Sequence, residues 1–337
     1  MEFPFANIEK ILEVEPICQG IYRSKRPGIP PVGSRGTFGG TLLGQSLLAA
    51  MHTIPATFVP SSLHGYFVAG GDPSVLLQYK VEDIRRGKSF IHQRVKAYQN
   101  GVLVFLVAVL WSLEKQTSEG ELHCFKILNQ EEILPISRFE EAGPLHRRTV
   151  IEKNGLKGLA DDEPSFRNIN LRDSFLDSFC NGCIDNRFPS DFFCSHSSKK
   201  KLEYYVRIKD PITSIKKNEA PHVSINPRND FRYNYVAFSY LSDSYFMFTV
   251  PNFHGLPLFT YKFSVSLDHS IHFHGIPNVN KWMYMRIYNP RSYKDRHLVQ
   301  GEYFDPETGQ ISASTTQEGL TVYHSKERIR EMMRPKL

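Results

Sequence analysis

The stretch Gly39-Gly40-Thr41-Leu42-Leu43-Gly44-Gln45-Ser46-Leu47-Leu48-Ala49-Ala50-Met51 is apolar almost all the way round, and it constrains the fold more than any other part of the chain. A surface helix keeps one polar face; a helix without one has to be buried on every side. A curved sheet is the cover that can do this. Glycines near the helix start permit close approach of another backbone or a ligand. Material for the sheet follows at once in Leu63 to Val68, Val75 to Asp83, Phe90 to Gln99 and Val102 to Leu113, rich in β-branched and aromatic residues. Arg86-Gly87-Lys88 and Gln99-Asn100-Gly101 mark hairpins between them, Asn-Gly being the strongest short cue.

The last third repeats this order. Asn234 to Val250 reads as a long apolar helix, Phe263 to Phe273 as a strand, and Lys281 to Tyr288, His297 to Phe304 and Gln310 to Val322 as further strands. The turn Pro306-Glu307-Thr308-Gly309 stands where Gln99-Asn100-Gly101 stood, and Ser62-Leu63-His64 matches Ser266-Leu267-Asp268. The expectation is an antiparallel sheet around one buried helix, built twice, in the α+β class. Three regions follow: a first domain over 1–115, a polar linker or insertion with short helices over 116–200, and a second domain over 201–337.

A net charge of +6 suits an anionic ligand but does not argue for nucleic acid, and neither an RNP-type aromatic motif nor a nucleic-acid zinc-finger spacing is present. Lys199-Lys200-Lys201 reads as a solvated loop. The N-terminus lacks a basic region followed by an apolar core, so secretion is not expected. The longest apolar run, Val102 to Trp111, is too short to span a bilayer. Five cysteines read as reduced thiols inside a cell. Cys180, Cys183, Cys194 and His196 could be drawn as a zinc site, but the Cys-x-His ending has no standard spacing, and loop thiols without metal are expected.

Three polar segments interrupt apolar stretches in the last third: Tyr240-Leu241-Ser242-Asp243, then Ser266-Leu267-Asp268-His269-Ser270 running into His272-Phe273-His274, then Thr316-Gln317-Glu318-Gly319. Together they look like a site assembled from separate elements, able to hold a water beside a carbonyl. Read one at a time they are ordinary. Asp243 is equally a helix cap, Ser266 a plain strand hydroxyl, and Gln317 a polar outward face.

The chain resembles the type-II acyl-CoA thioesterases, the TesB-like double hot-dog family, in its fungal, peroxisomal type. In the first domain the resemblance rests on Phe38-Gly39-Gly40 with Gly44-Gln45, His64-Gly65-Tyr66-Phe67, Gly71-Asp72-Pro73, Tyr79-Lys80-Val81-Glu82, Arg86-Gly87-Lys88-Ser89-Phe90 and Arg94-Val95. In the second it rests on Leu202-Glu203 with Val206-Arg207, Ser239 to Asp243, Leu267-Asp268-His269-Ser270 with Phe273-His274, Gly301-Glu302 and Ala313 to Gly319. It covers about 10–115 and 200–325; the segment 116–200 lies largely outside and is longer and more polar than in compact bacterial members.

The resemblance implies a double hot-dog fold, two antiparallel curved sheets each wrapped around a long buried helix. It implies hydrolysis of fatty acyl-CoA to free acid and CoA, without cofactor or metal. It assigns the catalytic Asp, hydroxyl and amide to Asp243, Ser266 and Gln317. Gly39, Gly40, His64 and His269 are weaker candidates for substrate binding, with Asp268 and His269 read first as structural hydrogen-bonding groups and His64 as a core or interface histidine. An α/β-hydrolase is excluded because Gly44-Gln45-Ser46-Leu47-Leu48 lacks the closing glycine of a nucleophile elbow. A hot-dog enoyl-CoA hydratase is disfavoured because Gly71-Asp72-Pro73 lacks the Asn and following His of its loop. A non-catalytic acyl-CoA sensor is the alternative of another class. Pro335-Lys336-Leu337 approximates the Ser-Lys-Leu address read by a peroxisomal import receptor, with Pro335 departing from the usual small residue. Peroxisome is therefore expected before cytoplasm. Hot-dog sheets often pair edge to edge, which leaves a homo-oligomer open.

Overall fold

The computed structural model describes residues 7–32, 34, 36–114, 124–152, 171–194, 197–210, 212, 225–226, 230–258 and 260–333. The chain begins with α1 (Ile8–Leu12), β1 (Val14–Cys18) and β2 (Ile21–Ser24), then α2 (Gly39–Met51) and strands β3 (Phe58–Phe67), β4 (Gln78–Arg86), β5 (Phe90–Gln99) and β6 (Val102–Leu113). A middle segment holds β7 (Glu140–Glu141), α3 (Ala142–His146), α4 (Leu171–Asn181) and β8 (Ile184–Phe188). The second repeat runs through β9 (Leu202–Ile208), α5 (Tyr233–Ser242), α6 (Val250–Phe253), β10 (Tyr261–Ser266), β11 (Asp268–Phe273), β12 (Met283–Tyr293), β13 (Arg296–Phe304), β14 (Ile311–Tyr323) and α7 (Lys326–Met333).

The strands lie in one antiparallel sheet of order β1-β2-β4-β5-β6-β3-β11-β14-β13-β12-β9-β8-β7, with β10 also on β14. The two repeats meet edge to edge where β3 pairs with β11, Tyr66 opposite Asp268 and Ser62 opposite His272. Each repeat wraps its own helix, and the helices α2 and α5 lie against each other. Every residue of α2 from Gly40 to Met51 is buried, and all of α5 is buried. The α2 leucines Leu42, Leu43, Leu47 and Leu48 each contribute roughly 1.5–3 kcal/mol by leaving water. Gly40 is what allows the approach: a Cβ there would stand 2.4 Å from the Tyr240 carbonyl oxygen. A buried ion pair ties the repeats together below. Arg232 donates to Asp230 at 2.7 Å and, from Nη1, to the carbonyls of Pro55 and Phe58, both at 3.1 Å.

The Asn-Gly hairpin forms as the sequence suggests, with Asn100 and Gly101 at φ 48° and 81°. Two elements differ from the reading of the sequence. The apolar stretch from Asn234 to Val250 is not one helix: α5 stops at Ser242 with Asp243 as its C-cap, and Tyr245 takes φ 59°. That left-handed residue breaks the helical path, and Pro251 opens the new helix α6. The stretch Phe263 to Phe273 is two strands. Ser266 lies opposite Gly319 and Ser270 opposite Thr316, so four steps on one side face three on the other. The extra residue is a β-bulge, and the Asp268 carboxylate accepts the Glu318 N–H at 2.7 Å there. The middle segment does more than connect: β8 pairs with β9 and extends the sheet, and α4 packs over the turn after α5.

Candidate functional site

Helix α2 starts without a side-chain cap of its own, Phe38 standing at its N-cap. Its first N–H groups need acceptors, and the end of a helix rich in free N–H favours negative charge. The acceptor comes from the other repeat. Because α5 runs past α2 and stops at Ser242, its C-cap Asp243 meets the start of α2, and its carboxylate takes the Gly40 N–H. Gly39 leaves room for it: a Cβ there would lie 2.6 Å from Asp243 Oδ2.

On the sheet side, Gln317 sits in the middle of β14. The strand alternates, and Gln317 points inward with an exposure of 0 %, which rules out the polar outward face. Its Nε2 donates to Asp243 Oδ1 at 2.7 Å and to Ser266 Oγ at 2.6 Å. One amide therefore joins a helix end to the last residue of β10. The bulge makes this possible. Ser266 and His269 are three residues apart and would face opposite ways on a regular strand; the extra residue turns both inward beside Gln317.

His269 is fully buried, with Nε2 3.0 Å from Ser242 Oγ. Burial pushes its pKa down to about 4, opposed by the Gln317 side chain, so the ring is neutral. Burial pushes Asp243 the other way, up to about 7, against the Gln317 amide and the Gly40 N–H, which favour the ionised form. Its surroundings are dense, yet the residue keeps some exposure to solvent. A carboxyl poised near neutrality, partly open and flanked by a hydroxyl and an amide, has the attributes of a general base for water.

The structure thus brings Asp243, Ser266, Gln317, Gly39, Gly40 and His269 together. It does not bring His64. The strand zigzag turns Leu63 and Gly65 inward and His64 outward, where its Nδ1 is 3.1 Å from Ser270 Oγ and its ring meets His272 edge-on at 5.2 Å. Ser242 went unassigned in the sequence although it adjoins Asp243; a hydroxyl next to a buried histidine leaves no sequence signal until the fold is known. Aromatic cover from α4 was also unseen. Phe179 stacks on Tyr245 at 5.1 Å, and Ser178 Oγ is 3.3 Å from the Tyr245 hydroxyl. Of the thiols drawn as a zinc set, Cys180 is exposed on α4, Cys183 is buried with its thiol pushed up to about 12, and His196 lies outside the described residues. Among the described residues, no group of three His, Cys, Asp or Glu could hold a metal ion, and no helix is long and apolar enough to cross a membrane.

Residues 197–320 match the family model described as acyl-CoA thioesterase, and residues 26–113 match the one described as acyl-CoA thioesterase N-terminal domain. The chain is similar to the peroxisomal acyl-coenzyme A thioester hydrolase 1 of Saccharomyces cerevisiae, 43% identical over 96% of this chain and 97% of that one. The chain belongs to the acyl-CoA thioesterase family. Solved structures place this thioesterase in the hot-dog fold. It overlays the acyl-CoA thioesterase II TesB2 of Mycobacterium marinum with a TM-score of 0.61 at 23% identity, covering 95% of this chain and 98% of that one. A hot-dog protein of Alicyclobacillus acidocaldarius overlays at 0.62 with 12% identity, covering 94% and 98%. Membership makes the protein an acyl-CoA thioester hydrolase.

Proposed function

We propose that this thioesterase hydrolyses fatty acyl-CoA by direct attack of one water held between Asp243, Ser266 and Gln317. The observation that carries the reading is the Gln317 amide, whose Nε2 reaches both Asp243 Oδ1 and Ser266 Oγ. With both amide hydrogens engaged, the Ser266 hydroxyl hydrogen is left to orient the water and the Asp243 carboxylate to accept its proton. The water oxygen bonds to the thioester carbonyl carbon as its proton passes to Asp243. The tetrahedral intermediate then expels the thiolate, the C–S bond breaks, and the proton returns to sulfur. A thiolate leaves readily, so no covalent nucleophile is required. The Gly39 N–H, at the start of α2, is the donor we assign to the developing oxyanion. In this reading the second domain supplies the reacting groups and the first supplies the helix start.

The test is single-turnover hydrolysis of medium- and long-chain acyl-CoA in ¹⁸O-water, followed by thiol release. One ¹⁸O in every released acid, with no acyl-enzyme captured by hydroxylamine, is expected. A trapped acyl-enzyme overturns direct water attack.

We place the reaction in the peroxisome. The support is the yeast relative, whose name carries that location, together with Pro335-Lys336-Leu337, which lies outside the described residues. An import receptor would read this tripeptide. An N-terminally tagged protein is expected in peroxisomes and, lacking residues 335–337, in the cytosol. Unchanged location after the deletion removes the tripeptide from the argument.

A further inference from the structure

Strand β10 leads straight to the reacting groups and ends at Ser266, yet one of its edges is bare. Its one sheet neighbour is β14. On the other side β3 accompanies β11 as far as Leu267, whose carbonyl takes the Phe67 N–H at 3.0 Å. Val68 then turns away to bond the Val104 carbonyl at 2.9 Å. A notch one strand wide is left beside β10, opening at Ser266.

Register decides which groups face the notch. Ser264 lies opposite Thr321, whose N–H is directed the other way, to the Asp295 carbonyl at 2.8 Å. In an antiparallel pair of this kind the two residues turn their backbone groups away from each other. The Ser264 N–H and C=O therefore point into the notch, where no described residue bonds them. The first repeat shows the same edge closed. Counted from the bulge in each repeat, Phe58 of β3 corresponds to Ser264 of β10. The Phe58 carbonyl is taken by Arg232 at 3.1 Å. Among the described residues nothing plugs the edge at Ser264, and that is the repeat carrying Asp243, Ser266 and Gln317.

We propose that the free edge of β10 holds the pantetheine arm of acyl-CoA, with its β-alanine unit paired to the Ser264 backbone and its phosphates led toward Lys262. This rests on the reading above, in which Ser266 borders the reacting carbonyl. The arm fits in kind: its β-alanine unit offers one C=O and one N–H, the complement of the Ser264 N–H and C=O. It also fits in length. The β-alanine unit lies about six bonds from sulfur, the span of about two extended residues, which is the step from Ser266 to Ser264. The first phosphorus lies about thirteen bonds from sulfur, or roughly four residues, which is the step from Ser266 to Lys262. Lys262 is exposed and has no ion pair among the described residues.

Proline can isolate this edge. Because the Ser264 N–H does not serve the β14 ladder, Ser264→Pro removes one donor and leaves the sheet paired. Ser264→Ala loses the same hydroxyl, which is 2.8 Å from Thr321 Oγ1, but keeps the N–H and serves as the control. Ser264→Pro is expected to raise KM for acyl-CoA, and Kd for free CoA by calorimetry, about tenfold with kcat little changed, while Ser264→Ala matches the wild type. A mercaptoethanol thioester, which lacks both amides, should be hydrolysed equally by Ser264→Pro and the wild type. Lys262→Ala should raise KM for acyl-CoA but not for acyl-pantetheine, which has no phosphate. On the wild type itself, an acyl-pantetheine with an ester oxygen in place of the β-alanine N–H should lose about tenfold in kcat/KM. CoA binding needs no turnover, so failure of the water mechanism would leave that readout intact. Unchanged CoA affinity in a folded Ser264→Pro, or full activity on the ester analogue, overturns the proposal. So does a dimer that Ser264→Pro converts to monomer in sedimentation, because the edge then pairs with a second copy of the chain.

Discussion

Gly39 and Asp243 occupy space that a single methyl group would close: a Cβ on Gly39 would stand 2.6 Å from Asp243 Oδ2 and 2.7 Å from Phe67 Cε1. Backbone of one repeat and carboxylate of the other are fitted to each other. Gly39→Ala should therefore displace the carboxylate from the Gly40 N–H and from Gln317. Strain of this kind costs about 1–3 kcal/mol in stability, so the variant should fold. Its kcat should fall by about tenfold or more, a loss larger than the change in melting temperature would suggest. Wild-type kcat in a folded Gly39→Ala would show that the contact does not matter.

Asp243→Asn keeps the shape of the side chain and removes the base, so turnover should drop by roughly 10²-fold or more. Ser266→Ala and Gln317→Ala should each lose activity in folded protein, because in the proposed mechanism each holds one side of the water. For the wild type, kcat/KM should rise with pH through about 7, where Asp243 gives up its proton, and level off above. A pH profile that stays flat from 5 to 9 would remove Asp243 as the base.

Much of this was readable beforehand because it rests on local patterns. The all-apolar Gly39–Met51 had to be a core helix, and the strands Phe90 to Gln99 and Val102 to Leu113 begin and end where their alternation and the Asn-Gly turn require. What the sequence hid depends on contacts between distant segments. The bulge at Leu267 leaves no mark in a run of strand formers, yet without it Ser266 and His269 would point to opposite faces. Tyr245 gives no hint of a left-handed backbone, nor of the stack that Phe179 makes on its ring from a segment read as a linker. His64, a weak candidate read first as a core or interface histidine, is turned outward because the phase of β3 is set by Leu63 and Gly65, and it stands opposite Ser270 where the two repeats join.

Arg232 offers a test of how the repeats are joined. Its side chain and that of Asp230 are almost fully buried, and Arg232 alone reaches the carbonyls of Pro55 and Phe58 from α5. Arg232→Met leaves Asp230 as a buried, unpaired charge and should destabilise by about 3–5 kcal/mol. Replacing both residues with apolar ones should recover only part of this, since the Arg232 bonds to the two carbonyls are lost and Pro55 O keeps only the Phe58 N–H. Urea unfolding of the single and double variants measures it. Full recovery in the double variant would mean that the carbonyl contacts contribute nothing.

Asp243 also makes stability depend on pH in an unusual direction. Its folded pKa, near 7, lies above the roughly 3.9 of an unfolded aspartate. The folded protein therefore binds the proton more tightly than the unfolded chain between these values. This group's contribution is most favourable below about pH 4, declines as pH rises, and is lost once the folded carboxyl ionises above about pH 7. Asparagine resembles the neutral acid and never ionises. Asp243→Asn should thus match the wild type in stability near pH 4.5 and exceed it at pH 8.5, while being the less active protein at both. The measurement is the difference in unfolding free energy between the two proteins across this range, which cancels the other carboxylates. A difference that does not grow with pH would mean that burial does not hold the Asp243 proton, and its fitness as a base at neutral pH would need another cause.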